Sequence, residues 1–425
     1  MSTTVTHGLA PVRTLLPSGA VVIAQETVMT PAVTISAAFR AGSAAEPQEL
    51  PGLSYLTGRV IDRGTERRSA AIIAQELDDR GVSLRVFTNR HALTLSCTCL
   101  AEDFSDVLDL VLDVARHPVF PDGEIARRRA EAITAVHQDA DNPAVKAVEG
   151  LLGLLYGPAH PYGRPVKGTA ESLERIGRAD IVRFHTERVR PSALSLAIVG
   201  DVPPERALEE SRRALDSWNA GPVPATELPL APQSNGRRQR SIPMTGKAQS
   251  DIAYGFTTIR RLDPRYYAYW MMNNILGQFG LGGRLADNIR ERQGMAYYAY
   301  SSFDPAPGEA PLIIRAGVDP RNVERAIAAI DHEVATLGAE GPAAREMEET
   351  REFLVGSIPR LLETNQSIAS FLLMAEEFGL GLDFDRRLPA LLRAVTIDEV
   401  RAAAREALHH DRASVSVAGP PEGPE

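Results

Sequence analysis

No two of the nine histidines in this chain stand four residues apart, so neither H-E-x-x-H nor H-x-x-E-H is present. Those spacings place two imidazoles on one helix face, where they hold a catalytic zinc ion. Without them, a mononuclear zinc site of that kind is not expected here. Cysteine is scarcer still, with only Cys97 and Cys99. Two thiols build no disulfide framework. In LTLSCTCL the alternation puts Leu93, Leu95, Cys97 and Cys99 on one strand face, which reads as small core residues. A metal site there would need further ligands. No stretch of about 18 apolar residues occurs, so no membrane-spanning helix is expected. The first residues lack a basic start followed by an apolar run, so no secretory signal is read. The expectation is a reducing, cytoplasmic location, or a periplasmic one if a leader has been removed. Positive charge is also short: 46 Lys and Arg against 55 Asp and Glu leave a net charge of -9. A nucleic-acid footprint is therefore not expected. No G-x-S-x-G elbow occurs, and GQFGLGGR (277–284) fails the spacing of both G-x-G-x-x-G and the Walker loop. That segment reads as a loop between helices, with contact to a peptide as the other reading.

What is present is ordinary globular material: 425 residues, 44 % hydrophobic and 24 % charged. That is enough for more than one domain. Strand patterns at 19–25 and 31–39 precede helices near 50–62 and 69–80 and a hairpin near 82–100. Phe104, Val107, Leu108, Val111 and Ala115 then recur at helical spacing. A charged helix is expected at 122–140. Residues 173–200 predict a helix and a closing strand. Residues 221–236 hold four prolines and two glycines, a linker signature. The expected division is therefore 1–220, a linker at 221–236, and 237–425. The second block repeats the first. Shifted by 219 residues, Ile176–Gly200 overlays Val395–Gly419 without a gap. Strands and helices do not alternate strictly, which points to α+β and away from a doubly wound parallel sheet.

One segment combines a helix end with a strand: GGRLADNIRERQGMAYYAYSSF (282–303). Gly294 suits a helix C-cap. Alternation places Tyr297 and Ser301 on one strand face and Tyr298 and Tyr300 on the other. A reversal at Gly294 would bring Arg290 and Tyr297 together, and such a pair can bind a peptide carbonyl or carboxylate. Read alone, the pair is weak evidence, because arginines in final helical turns are common and usually only solvated.

The same segment resembles the C-terminal-half motif of pitrilysin/insulinase-type metallopeptidases. That motif is an arginine, six residues, then a tyrosine, with Gly-(Leu/Met)-Ala before the tyrosine. Gly294-Met295-Ala296 fills it between Arg290 and Tyr297. PGLSYLTGRVIDRGT (51–65) is similar to the family's zinc segment, Gly-Leu-Ala-His-Phe-Leu-Glu-His-Met-x-x-x-Gly-Thr. Gly52, Leu53, Gly64 and Thr65 match. Tyr55 stands in place of the first histidine, Gly58 in place of the catalytic glutamate and Arg59 in place of the second histidine. Thr134 and Ala135 stand near the place of the third ligand, a glutamate.

The resemblance spans about residues 10–420. It implies two homologous domains, each a mainly antiparallel sheet with helices on one face, forming half of a clamshell. It implies that this chain carries no zinc and pairs with a homologous H-x-x-E-H subunit that does. A peptide would lie extended, adding a strand to the partner's sheet edge. Arg290 and Tyr297 would reach its backbone near the scissile bond. The alternatives are a structural scaffold subunit of a larger complex, and a self-sufficient enzyme with an unrecognised site.

Overall fold

The computed structural model describes residues 8–218, 220–278 and 282–421. The first sheet contains β1 (Val12–Leu15), β2 (Val21–Glu26), β3 (Ala32–Phe39), β4 (Arg85–Thr88), β5 (Leu93–Leu100) and β6 (Leu194–Gly200). Their order is β1-β2-β6-β3-β5-β4. The second contains β7 (Arg238–Pro243), β8 (Ser250–Thr257), β9 (Ala296–Phe303), β10 (Pro311–Val318) and β11 (Ser414–Gly419), in the order β7-β11-β8-β10-β9. Each sheet has one parallel pair, β2 with β6 and β7 with β11, and is otherwise antiparallel. The architecture is α+β, as the element pattern predicts.

The repeat is structural as well as sequential. Helix Arg178–Arg188 leads to β6, and helix Ile397–Ala407 leads to β11 at the same offset of 219. Both closing strands sit between a parallel and an antiparallel neighbour, in the same place in each sheet.

The chain forms two compact units that are not contiguous in sequence. One holds 1–136, 165–227 and 358–387; the other holds 137–164, 228–357 and 388–425. Packing thus divides the chain differently from a single cut at 221–236. The cause is two helices that leave their own half. Helix Pro143–Tyr156 packs on β8 and β11, and helix Asn365–Glu377 packs on β6 and β3.

The second of these changes the expectation of helices on one face only. Val33, Ile35 and Phe39 of β3 face the main core of the first unit, with Leu93, Leu95, Cys97 and Cys99. On the opposite face, Val21, Ile23, Ala197 and Val199 pack against Ile368, Ala369 and Leu372. Burying each large aliphatic side chain contributes about 1.5–3 kcal/mol. Polar contacts set the helix position: Asn365 Nδ2 donates to the Ala32 carbonyl at 3.0 Å, and Ser96 Oγ donates to Gln366 Oε1 at 2.9 Å.

Both cysteines are buried. Burial pushes the Cys97 thiol up to about 12 and Cys99 up to about 11, as core thiols behave. No helix among the described residues is long and apolar enough to cross a membrane. Of the glycine-rich segment, Phe279, Gly280 and Leu281 lie outside the described residues.

Candidate functional site

The second unit presents Arg290 and Tyr297 on either side of one turn. The turn begins in a π-helical segment, Ala286–Arg292. A second π-helical segment, Asn274–Gln278, precedes it. Such segments are rare and are frequently found at functional sites. Leu285, Ala286 and Ile289 face the core, which turns Arg290 outward. Arg284, paired to both oxygens of Glu346 at 2.6 and 2.7 Å, anchors the segment. Asn288 Nδ2 adds a bond to Glu333 Oε1 at 2.6 Å. The chain then reverses at Gly294, whose φ of +60° suits glycine. Gly294 N–H closes on the Arg290 carbonyl at 3.1 Å and Met295 N–H on the Ile289 carbonyl at 3.0 Å.

Strand β9 follows, with one departure from simple alternation. Gly317 pairs with Tyr298 and Val318 pairs with Ala296, so Tyr297 has no Cα partner on β10. This is a β-bulge, and a bulge re-aims the side chain of its extra residue. Regular alternation puts Tyr297 on the face of Ser301. In the structure Ser301 is buried and donates to the Asn273 carbonyl at 3.0 Å, whereas Tyr297 is 82 % exposed. Arg290 is exposed too, and its ion pair is with neighbouring Glu291 at 3.4 Å. A pair that exposed contributes at most about 1 kcal/mol, so the guanidinium can exchange partners.

The zinc-motif positions lie in the first unit, on helix Leu53–Val60. Leu53, Leu56 and Val60 enter the core, and Tyr55 packs against it partly buried. The Glu46 carboxylate accepts from Gly52 N–H at 3.0 Å and Ser54 N–H at 2.7 Å, satisfying the helix start. Gly58 is buried against the β4–β5 hairpin. A Cβ there would stand 2.9 Å from Thr88 Oγ1 and 3.6 Å from Val86 Cγ1. Arg59 donates to Glu131 Oε2 at 3.0 Å, joining this helix to helix Asp122–Ala140. Glu131 also accepts from Arg128, and the two arginines hold its carboxyl below the usual range, Arg128 contributing most. Thr134 bonds back to the Ala130 carbonyl of its own helix. A Zn²⁺ ion does not fit this set. Tyr55, Gly58 and Arg59 offer no imidazole, and Arg59 is a fixed cation among them. Among the described residues no cluster of three His, Cys, Asp or Glu could hold a metal. The Arg59–Glu131 contact was not legible in the sequence, since it links residues 72 apart.

Comparisons with known proteins match both halves of the chain. The profile described as Insulinase (Peptidase family M16) matches residues 21–166, and that described as Peptidase M16 inactive domain matches 175–354. The chain belongs to the M16 peptidase family. A relative from Streptomyces coelicolor, named an uncharacterized zinc protease, is 26 % identical over 421 residues, covering 97 % of this M16 chain and 91 % of its own. One from Helicobacter pylori, named a non-peptidase homolog, is 23 % identical over 382 residues, covering 89 % and 87 %. The crystal structure of a peptidase M16 inactive domain from Pseudomonas fluorescens superposes with a TM-score of 0.90 at 25 % identity, covering 98 % of this chain and all of that one.

In this M16 chain, returning a glutamate to position 58 is expected to cost stability. Gly58→Glu forces Thr88 aside and should destabilise the chain by about 1–3 kcal/mol in urea unfolding, the usual penalty for overpacking. A variant at least as stable as the parent would show that the hairpin yields freely.

Proposed function

We propose that this chain is the non-zinc subunit of a heteromeric M16 peptidase, holding an extended peptide with Arg290 and Tyr297. The observation that supports the reading most is the bulge. It turns a strand tyrosine that would be buried by alternation into an exposed phenol, and a loosely paired arginine lies just before the same turn. A purely structural strand gains nothing from that exposure. The replaced zinc-motif positions supply the complementary reason: the metal-binding half has to come from a homologous H-x-x-E-H subunit, which would hold the Zn²⁺.

The chemistry assigned to this chain is donor chemistry. Arg290 offers a permanent cation with several N–H groups, and Tyr297 offers one O–H. Aimed at the peptide backbone near the scissile bond, they fix the carbonyl and stabilise the negative charge that develops on its oxygen. The peptide adds a strand to a sheet edge of the partner, so side-chain selectivity rests with the pockets along it.

A scaffold role is the second reading, favoured by the relative named a non-peptidase homolog. The two separate by reconstitution. The purified chain alone should contain far less than one zinc per molecule and cleave no peptide. Mixed with a homologous H-x-x-E-H subunit, it should raise peptide cleavage well above that of the partner alone. Stoichiometric zinc in the lone chain would sink the proposal; a complex whose cleavage does not depend on this chain would favour the scaffold.

A further inference from the structure

The second unit contains a pocket of about 300 Å³ that no part of the peptide-binding reading uses. Helix Pro143–Tyr156, strands β7 and β8 and the turn after helix Ile397–Ala407 line it. Arg238, His409 and Arg412 line it, and Leu155 and Phe256 give its mainly polar wall a smaller apolar part.

Two successive arginines show what is unusual. Arg237 is satisfied: it donates to Asp331 Oδ1 at 2.8 Å, and its guanidinium lies 5.7 Å from the Tyr254 ring centre. Arg238 points to the other side of β7, into the pocket. Its Nε and Nη2 are buried and have no hydrogen-bond partner among the described residues. Only its backbone is engaged, N–H to the Ala413 carbonyl at 3.0 Å. Burial without a counter-charge lowers the pKa of its guanidinium, yet an arginine stays charged at neutral pH. Arg412 makes no ion pair among the described residues. The one carboxylate on the wall, Glu406, is taken by Arg265 at 2.5 Å. Three cationic or N–H-bearing side chains therefore line one small space, and Arg238 Nε and Nη2 are bonded to nothing among the described residues.

Two buried, unpaired nitrogens on a partly buried guanidinium carry a desolvation cost, and no ion pair offsets it. The planar fork of arginine matches an oxyanion. From this grouping we infer that the pocket is a binding site for a small oxyanion-bearing metabolite, its phosphate or carboxylate on Arg238 and Arg412 and a compact apolar body against Leu155 and Phe256. The size suits this class, being at the small end of the range of ligand pockets. The site does not depend on Arg290, Tyr297 or a zinc-bearing partner.

The test is calorimetric titration of the full chain with inorganic phosphate, phenyl phosphate and benzoate, at ionic strength matched with sodium chloride. Phosphate should bind measurably, and phenyl phosphate at least tenfold more tightly because its ring covers Leu155 and Phe256. Benzoate equal to or tighter than phenyl phosphate would assign a carboxylate ligand; weaker benzoate would assign a phosphorylated one. Arg238→Met and Arg412→Met should each weaken binding at least tenfold, while Arg321→Met, which removes one exposed charge elsewhere, should not. Unliganded Arg238→Met should melt no lower than the parent, because an unpaired buried cation has been removed; this separates lost binding from lost folding. No binding of any of the three above the chloride control, or unchanged affinity in Arg238→Met, would overturn the assignment.

Discussion

Arg290→Ala or Tyr297→Phe is expected to lower peptide cleavage by the assembled pair about 10²–10³-fold, the usual effect of losing one donor to a developing oxyanion. The chain itself should unfold as before. Tyr297 is 82 % exposed and Arg290 is held only by an exposed neighbour, so either change should stay within about 0.5 kcal/mol of parental stability. The combination of lost activity and retained stability distinguishes a binding role from a structural one. If the donors act only on the transition state, kcat falls and KM holds. If they hold substrate and transition state alike, KM rises and kcat holds. The double variant tests whether the two act together, since residues acting as a unit give less than the product of the single effects. A double variant with parental kcat/KM would refute the assignment.

Asp113→Ala should be among the most destabilising single changes in the first unit, at about 3–5 kcal/mol, the cost of stranding charged partners in a protein interior. The Asp113 side chain is fully buried. It accepts from Thr65 Oγ1 at 2.8 Å, Arg68 Nη1 at 2.7 Å and Arg67 Nε at 3.0 Å, and contacts His117 Nδ1 at 3.2 Å. Thr65 belongs to the Gly64-Thr65 pair that survives from the zinc segment. Its retention has a structural reason: the hydroxyl ties the end of that segment to helix Phe104–Arg116. Burial alone would push the Asp113 carboxyl up, but the bonds from Thr65, Arg68 and Arg67 outweigh it and hold it below the ordinary value.

The sign of the pH effect follows from that direction. A carboxyl with a lowered folded pKa contributes stability that is complete above its unfolded pKa of about 3.9 and fades as pH falls through the folded value. Urea unfolding of the parent should weaken steeply below about pH 4. Asp113→Asn should lose stability at pH 7 and show a shallower acid limb. A loss below about 1 kcal/mol for Asp113→Ala at pH 7 would mean the arginines find water or other carboxylates, such as Asp109, at little cost.

The sequence alone determined the features that depend on neighbours along the chain. The missing histidine pair excluded the helical zinc motif. The apolar face from Phe104 to Ala115 is buried as its spacing predicts. The 219-residue repeat recurs as matching helices and strands, and Gly294 ends the Arg290 segment with a positive φ. Each is a statement about a dihedral angle, a local period or a residue type. The tertiary structure alone decided what depends on partners far away in sequence. Which helix covers which sheet was not written in any one segment, because helices Pro143–Tyr156 and Asn365–Glu377 are amphipathic in ways that suit either sheet. The exposure of Tyr297 arises from its register against β10, where two residues of β9 span one step of the neighbour. A period of two states only that a strand has two faces. The opposing strand decides where that period slips, and here the slip delivers the tyrosine to solvent.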